Sequence, residues 1–311
     1  MRADTFSFAA PGGLSLFVYR WLPDGDPRAL VQIVHGMAEH AGRYAALAEA
    51  LTEAGYAVYA HDQRGHGRSV TSSSDFGHMA DLNGWNKAVE DCRALSKHLR
   101  GEHEGLPQVL LGHSMGSFLA RRYAVTWGDE LAGLALSGTG GVGGALEKLG
   151  LSIARWRAGA KGRRATSRIL KRMTFQEYNR AFKPSRTDFD WLSRDEAQVD
   201  AYIRDPHCGF DVSLGTWVDL LAERVDQDLP ERLEGLPAGL PVYLFSGDQD
   251  PLSEKGKGLN DVASLYRAAG VQRVDVRLYS GARHEILNES NRAEVFADLL
   301  TWVEDVTSSK A

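Results

Sequence analysis

Gln108-Val109-Leu110-Leu111-Gly112-His113-Ser114-Met115-Gly116-Ser117 decides the fold of this chain. Residues 112–116 fit G-x-S-x-G, the sharp strand-to-helix turn that lifts a serine to the top of a parallel sheet. The flanks supply the context this motif requires. Gln108 to Leu111 read as a short buried strand, and Ser117 to Ala124 read as a helix. Glycine at 112 and 116 allows a close backbone approach that a Cβ would block. A Gly-rich turn that happens to hold a serine is the bland alternative, and the strand–turn–helix context favours a nucleophile.

A serine hydroxyl needs an adjacent base, and the base needs an acid that fixes its tautomer. In folds of this kind the chain order is Ser, then Asp or Glu, then His. Pro241 to Gly247 form a β-type apolar run, followed by the polar loop Asp248-Gln249-Asp250-Pro251. Val274 to Leu278 alternate as a half-buried strand does, and the next loop carries His284. Leu259, Val262, Tyr266 and Ala269 recur between them at helical spacing, enough chain for one parallel crossover. Asp250 is the preferred acid, with Asp248 bracing the loop. The candidate triad is therefore Ser114, Asp250 and His284. An oxyanion hole needs two N–H donors: one from Met115, the other from the loop after an early strand, Leu30 to Val34, where Met37 is assigned. His35 reads as loop structure.

Several stretches carry a family resemblance. His35-Gly36-Met37-Ala38-Glu39-His40-Ala41-Gly42-Arg43-Tyr44 resembles the oxyanion loop of the monoacylglycerol lipase and lysophospholipase branch of the α/β-hydrolases. His61-Asp62-Gln63-Arg64-Gly65-His66-Gly67-Arg68-Ser69 resembles that branch's D-x-R-G-H-G-x-S turn, and residues 112–116 and 281–284 are similar again. Together they span about residues 30 to 290. The resemblance implies a mostly parallel eight-stranded sheet with helices on both faces and a helical cap. It also implies the same triad and oxyanion donors, no metal or organic cofactor, and hydrolysis of lipid-type esters. In one respect the chain departs: mammalian-type members place a second histidine three positions after the catalytic one, where this chain has Leu287.

The chain has 311 residues, 43% hydrophobic and 25% charged, long enough for one large α/β domain with an insertion. A net charge of −5 argues against nucleic acid as a partner. Two cysteines make no disulfide scaffold, and neither has metal-ligand spacing in the sequence. The N-terminus lacks the apolar region of a signal peptide, and no apolar run is long enough to span a bilayer, so the expectation is a cytoplasmic enzyme.

Strands at 5–9, 14–20, 30–34, 56–60, 108–111 and 132–136 alternate, after the first two, with helices at 43–54, 84–100 and 115–127. The pattern breaks near Gly138 and resumes at Leu240. Residues 1–138 and 227–311 are accordingly read as the core, residues 139–226 as a cap over the strand ends, and Thr307 to Ala311 as a frayed tail. Between Lys148 and Arg172 the cap carries Arg155, Arg157, Lys161, Arg163, Arg164, Arg168 and Lys171, interleaved with apolar residues. This pattern suits either a lid that transiently meets a membrane surface or an ordinary solvated helix face. Trp191, Tyr202, Phe210 and Trp217 are candidates for an acyl pocket, with packing inside the cap as the alternative. Glu39 and Arg43 are candidates for a polar head group, with an ion pair bracing the loop as the alternative. Serine at the elbow argues against dehalogenase and epoxide hydrolase chemistry. A peptidase, a thioesterase, a C–C hydrolase and a non-catalytic ligand-binding homologue remain as rivals.

Overall fold

Alternation along the central strands divides the interior in two. In β5 (Gln108–His113), Leu110 packs among residues of one face while Val109 and Leu111 pack on the other. The same division holds for β6 (Gly133–Ser137), where Leu134 and Leu136 oppose Ala135. It holds again for β7 (Val242–Gly247), where Leu244 opposes Tyr243 and Phe245. Strands buried on both faces need helices on both faces, which is the physical reason for a three-layer α/β architecture. A computed structural model describes residues 1–308 of the chain.

The sheet has eight strands in the order β1 (Arg2–Ala9), β2 (Ser15–Leu22), β4 (Ala57–His61), β3 (Leu30–Val34), β5, β6, β7 and β8 (Val274–Tyr279). β2 pairs antiparallel with both β1 and β4, and every other pair is parallel. The helices α1 (Ala45–Glu53) and α11 (Arg292–Ser308) cover one face, and α2 (Gly84–Glu102), α3 (Met115–Trp127) and α10 (Lys257–Ala268) the other. From β3 the chain moves outward to β4 and then returns to β5 on β3's other side. That reversal opens a crevice at the C-terminal ends of β3 and β5, the usual ligand position in open α/β sheets.

Between β6 and β7 lie α4 (Ala145–Lys161), α5 (Arg168–Lys171), a π-helical turn (Arg172–Gln176), α6 (Glu177–Arg180), α7 (Glu196–Arg204) and α8 (Leu214–Asp226). The short α9 (Pro230–Leu233) precedes β7. This inserted segment is less uniformly helical than its composition suggests, because residues 181–195 follow an irregular path. That path is held by side chains: Asp190 accepts from the Thr187 N–H and hydroxyl, and Asn179 bonds Thr187 and Trp191. At the other terminus α11 runs through Thr307, which is buried and bonded to the Val303 carbonyl. The frayed tail therefore does not begin at Thr307, and residues 309–311 lie outside the described residues.

Candidate active site

Ser114 stands between β5 and α3 with φ 51° and ψ −121°, a backbone conformation that costs an L-residue about 1–3 kcal/mol. Its surroundings enforce it. The Ser114 N–H donates to the Ser137 carbonyl at 2.9 Å, and the Ser114 carbonyl accepts from the Ser117 N–H at 2.9 Å and the Ser117 hydroxyl at 2.5 Å. The flanking glycines are required by contact. A Cβ on Gly116 would lie 2.1 Å from the Val34 carbonyl oxygen, and one on Gly112 would lie 2.5 Å from the Gly116 carbonyl oxygen.

The loops after β7 and β8 bring Asp250 and His284 to this turn. They touch closely, since a Cβ on Gly247 would fall 2.0 Å from the Ala282 carbonyl oxygen. Asp248 ties them together by accepting from the Gly281 N–H at 2.8 Å. His284 Nε2 lies 3.0 Å from Ser114 Oγ, and His284 Nδ1 lies 3.1 Å from Asp250 Oδ1. Asp250 also accepts from the Ser246 hydroxyl at 2.7 Å and the Leu252 N–H at 2.9 Å. Both His284 and Asp250 are buried, whereas Ser114 is partly exposed to a cavity. Burial opposes charge on His284, but the Asp250 carboxylate outweighs it and holds the imidazole above its ordinary pKa of 6.5. Burial likewise pushes the Asp250 carboxyl up, and the His284 charge with three hydrogen-bond donors brings it below the usual 3.8.

Met37 and Met115 both line the cavity beside Ser114. Met115 opens α3, so its N–H belongs to the first turn, for which helix geometry provides no partner. The loop bearing Met37 is shaped by Glu39, whose Oε1 accepts from the Gly36 N–H at 2.6 Å and the Tyr44 hydroxyl at 2.9 Å. Glu39 Oε2 and both oxygens of Glu285 accept from Arg43 at 2.6–2.7 Å.

Two expected pocket residues are placed elsewhere. Arg43 does not line the cavity, because its guanidinium is spent on Glu39 and Glu285 and lies over the Tyr202 ring. Phe210 also stays outside, packed against His66 and Phe76. Trp191 and Trp217 do line the cavity, and Phe175 joins them by ring contacts to both. Glu39 reaches the cavity wall with both carboxylate oxygens already bonded. His35 is a structural residue: its Nδ1 lies 2.7 Å from the Gly36 carbonyl, and its Nε2 accepts from the Gln63 N–H at 2.9 Å. Three features escaped sequence reasoning. The Trp191 ring lies 4.8 Å from that of His284, Glu285 closes the ion network around Arg43, and Ser246 bonds Asp250. Only adjacency to motif residues could have flagged Glu285 and Ser246, and nothing local places Trp191, a pocket candidate from its residue type, against the His284 ring.

The family model described as serine aminopeptidase, S33, matches residues 25–291. The chain belongs to this α/β-hydrolase family. The hydrolase is 32% identical over 307 residues to the monoacylglycerol lipase of Mycolicibacterium smegmatis, covering 96% of this chain and 95% of that protein. It is 29% identical to human monoglyceride lipase, over 96% of this chain and 89% of the relative. Among solved structures it is similar to a thermostable carboxyl esterase from Bacillus coagulans in complex with glycerol. The TM-score is 0.90 at 29% identity, with 99% of each chain covered. The protein is a serine carboxylic-ester hydrolase.

Proposed function

We propose that this hydrolase cleaves lipid-type carboxylic esters, monoacylglycerols or lysophospholipids, through an acyl-enzyme on Ser114. The observation that carries the reading is the Ser114–His284–Asp250 relay opening onto an apolar cavity lined by Phe118, Leu170, Met173, Phe175, Trp217 and Leu220. His284 Nε2 takes the Ser114 proton as Oγ attacks the ester carbonyl. The Met37 and Met115 amides receive the developing oxyanion, each donor of this kind being worth roughly 10²–10³ in rate. His284 then protonates the leaving alcohol and afterwards activates water, while Asp250 stays ionised and holds the ring. The residues assigned need no metal or organic cofactor.

An ester fits better than an N-terminal peptide. A substrate ammonium needs an unpaired carboxylate. Each of the four on the cavity wall already has a partner: Glu39 and Glu285 hold Arg43, Glu147 holds Arg224 and the Gly144 N–H, and Glu177 holds Arg180. A p-nitrophenyl ester series from acetate to palmitate, followed by monoacylglycerol and lysophospholipid, tests the proposal with Ser114→Ala as control. Turnover should peak at medium or long chains and fall by orders of magnitude in the variant. Near-normal turnover in Ser114→Ala refutes the site, and activity confined to acetate refutes the lipid substrate.

The same reading makes residues 139–226 a cap, with α4 as the surface that transiently meets the lipid aggregate. On α4, Leu146, Leu149 and Trp156 share one face and are 66%, 55% and 70% exposed. The exposed Lys148, Arg155, Lys161 and Arg168 have no ion pair among the described residues, whereas Arg163, Arg164 and Lys171 are paired. No helix among the described residues is long and apolar enough to cross a membrane. The exposed apolar face and the cations without an ion pair favour peripheral contact with a membrane surface.

A further inference from the structure

Away from Ser114, three unlike metal-ligating side chains converge between the loop after β3 and the segment after α7. His40, Asp205 and Cys208 each present one donor atom, and these atoms lie within 4.8 Å of one another. Gly42 N–H donates to His40 Nδ1 at 3.2 Å, which leaves the proton on Nε2, and Nε2 donates to Asp205 Oδ2 at 3.0 Å. His207 stands edge-on to His40, with ring centroids 5.9 Å apart. All three donor residues are partly exposed, so an ion has access.

The two segments are already held together beside this cluster. The Ala38 carbonyl accepts from the Tyr202 hydroxyl and from the Gly209 N–H, each at 2.9 Å. The local charge favours a cation. Asp62 and Asp205 face the two histidines, and Glu39, Glu285 and Arg43 face Cys208. The single positive charge among them, Arg43, is already shared by Glu39 and Glu285.

We propose that His40, Asp205 and Cys208 form a binding site for a divalent transition-metal cation of the zinc type, bridging the loop after β3 and the segment after α7. One nitrogen, one oxygen and one sulfur donor suit borderline-soft Zn²⁺, whereas Mg²⁺ and Ca²⁺ take oxygen donors. At zinc bond lengths of about 2.0–2.3 Å, tetrahedral donors stand roughly 3.3–3.7 Å apart. The widest pair here must therefore close by about 1 Å, within reach of side-chain rotation. Water fills the fourth position. Binding moves the ring proton from Nε2 to Nδ1, gives up the Gly42 bond and releases to solvent the Cys208 thiol proton, which burial holds on the sulfur in the metal-free protein. The expected affinity is therefore about micromolar, weaker than that of a closed four-ligand structural site. The site stands apart from the ester-hydrolysis reading, because binding is measured directly.

The probe is zinc alone, titrated into the untagged chain in competition with a chromophoric chelator near neutral pH. One equivalent should bind. Cys208→Ser and His40→Ala should each weaken binding by on the order of tenfold or more. Cys92→Ser should leave it unchanged, since Cys92 is buried beneath Gln32. Circular dichroism confirms that each variant is folded, and if His40→Ala does not fold, Cys208→Ser decides alone. Absence of stoichiometric binding, or an affinity unmoved by Cys208→Ser, overturns the site.

Discussion

His284 is buried, yet it holds a proton more readily than free histidine, because the charge of Asp250 outweighs the cost of burial. A general base must be neutral, so kcat/KM should rise with pH along a limb centred above 6.5, the ordinary histidine value. Asp250→Asn removes that charge. It should move the limb to lower pH and reduce kcat by roughly 10⁴, through loss of both the tautomer and the stabilised imidazolium. A pH–rate profile of wild type and variant checks both statements, and a limb that does not move in Asp250→Asn contradicts them. At this scale the sequence named Ser114, Asp250 and His284, which the structure brings within hydrogen-bond reach of one another, because each follows a strand with its own pattern. It was least informative for Phe210. For Arg43 its alternative, an ion pair bracing the loop, is the arrangement found with Glu39, while the second partner, Glu285, lies 242 positions distant and no local pattern records it.

Among the elements, β5 and α3 lie almost where the periodicity places them. The strand is expected at 108–111 and found as Gln108–His113, and the helix is found as Met115–Trp127. Both are buried along most of their length, so their patterns are strong. β1 is exposed over its first four residues and reaches back to Arg2, beyond the expected 5–9, because cross-strand pairing with β2 extends it rather than burial. α4 offers the test of membrane contact. Leu149→Ser combined with Trp156→Ala removes exposed apolar area that does not line the cavity. At about 25 cal/mol per Å², losing one large aromatic and one leucine should weaken binding to anionic vesicles severalfold to a hundredfold. Hydrolysis of soluble p-nitrophenyl acetate should be unchanged. Equal co-sedimentation of the variant with vesicles refutes a docking role for this face.

The whole molecule contains several histidines that its interior keeps neutral. Burial lowers His61, His66 and His113 each to about 4, and His35 well below its ordinary value. Between pH 6.5 and about 4 the unfolded chain takes up protons at these positions that the folded chain refuses, so stability falls as pH falls through that window. His284 has the opposite sign, contributing stability below 6.5 that is lost as pH rises through its raised value, and it is outnumbered. Urea midpoints followed by tryptophan fluorescence should drop between pH 6.5 and 4.5, by on the order of a few kcal/mol in unfolding free energy. A level midpoint across that range contradicts the account.

The amino-acid sequence alone carries the three-layer α/β class, the strand-to-helix turn at Ser114 and the chain order of the candidate triad. Each of these is written in short-range terms: a period of two or 3.6, a glycine pair, a polar loop after an apolar run. Tertiary structure decided which side chains face the cavity, how Glu39, Arg43 and Glu285 close into one network, and that Trp191 lies against His284. It also brought His40 beside Asp205, 165 positions away, where neither residue has a meaningful neighbour in the sequence. The physical reason is the same throughout. Burial periodicity is a local property of a chain. Charge pairing and ring contact depend on where the strand order reverses and on where the inserted helices come to rest.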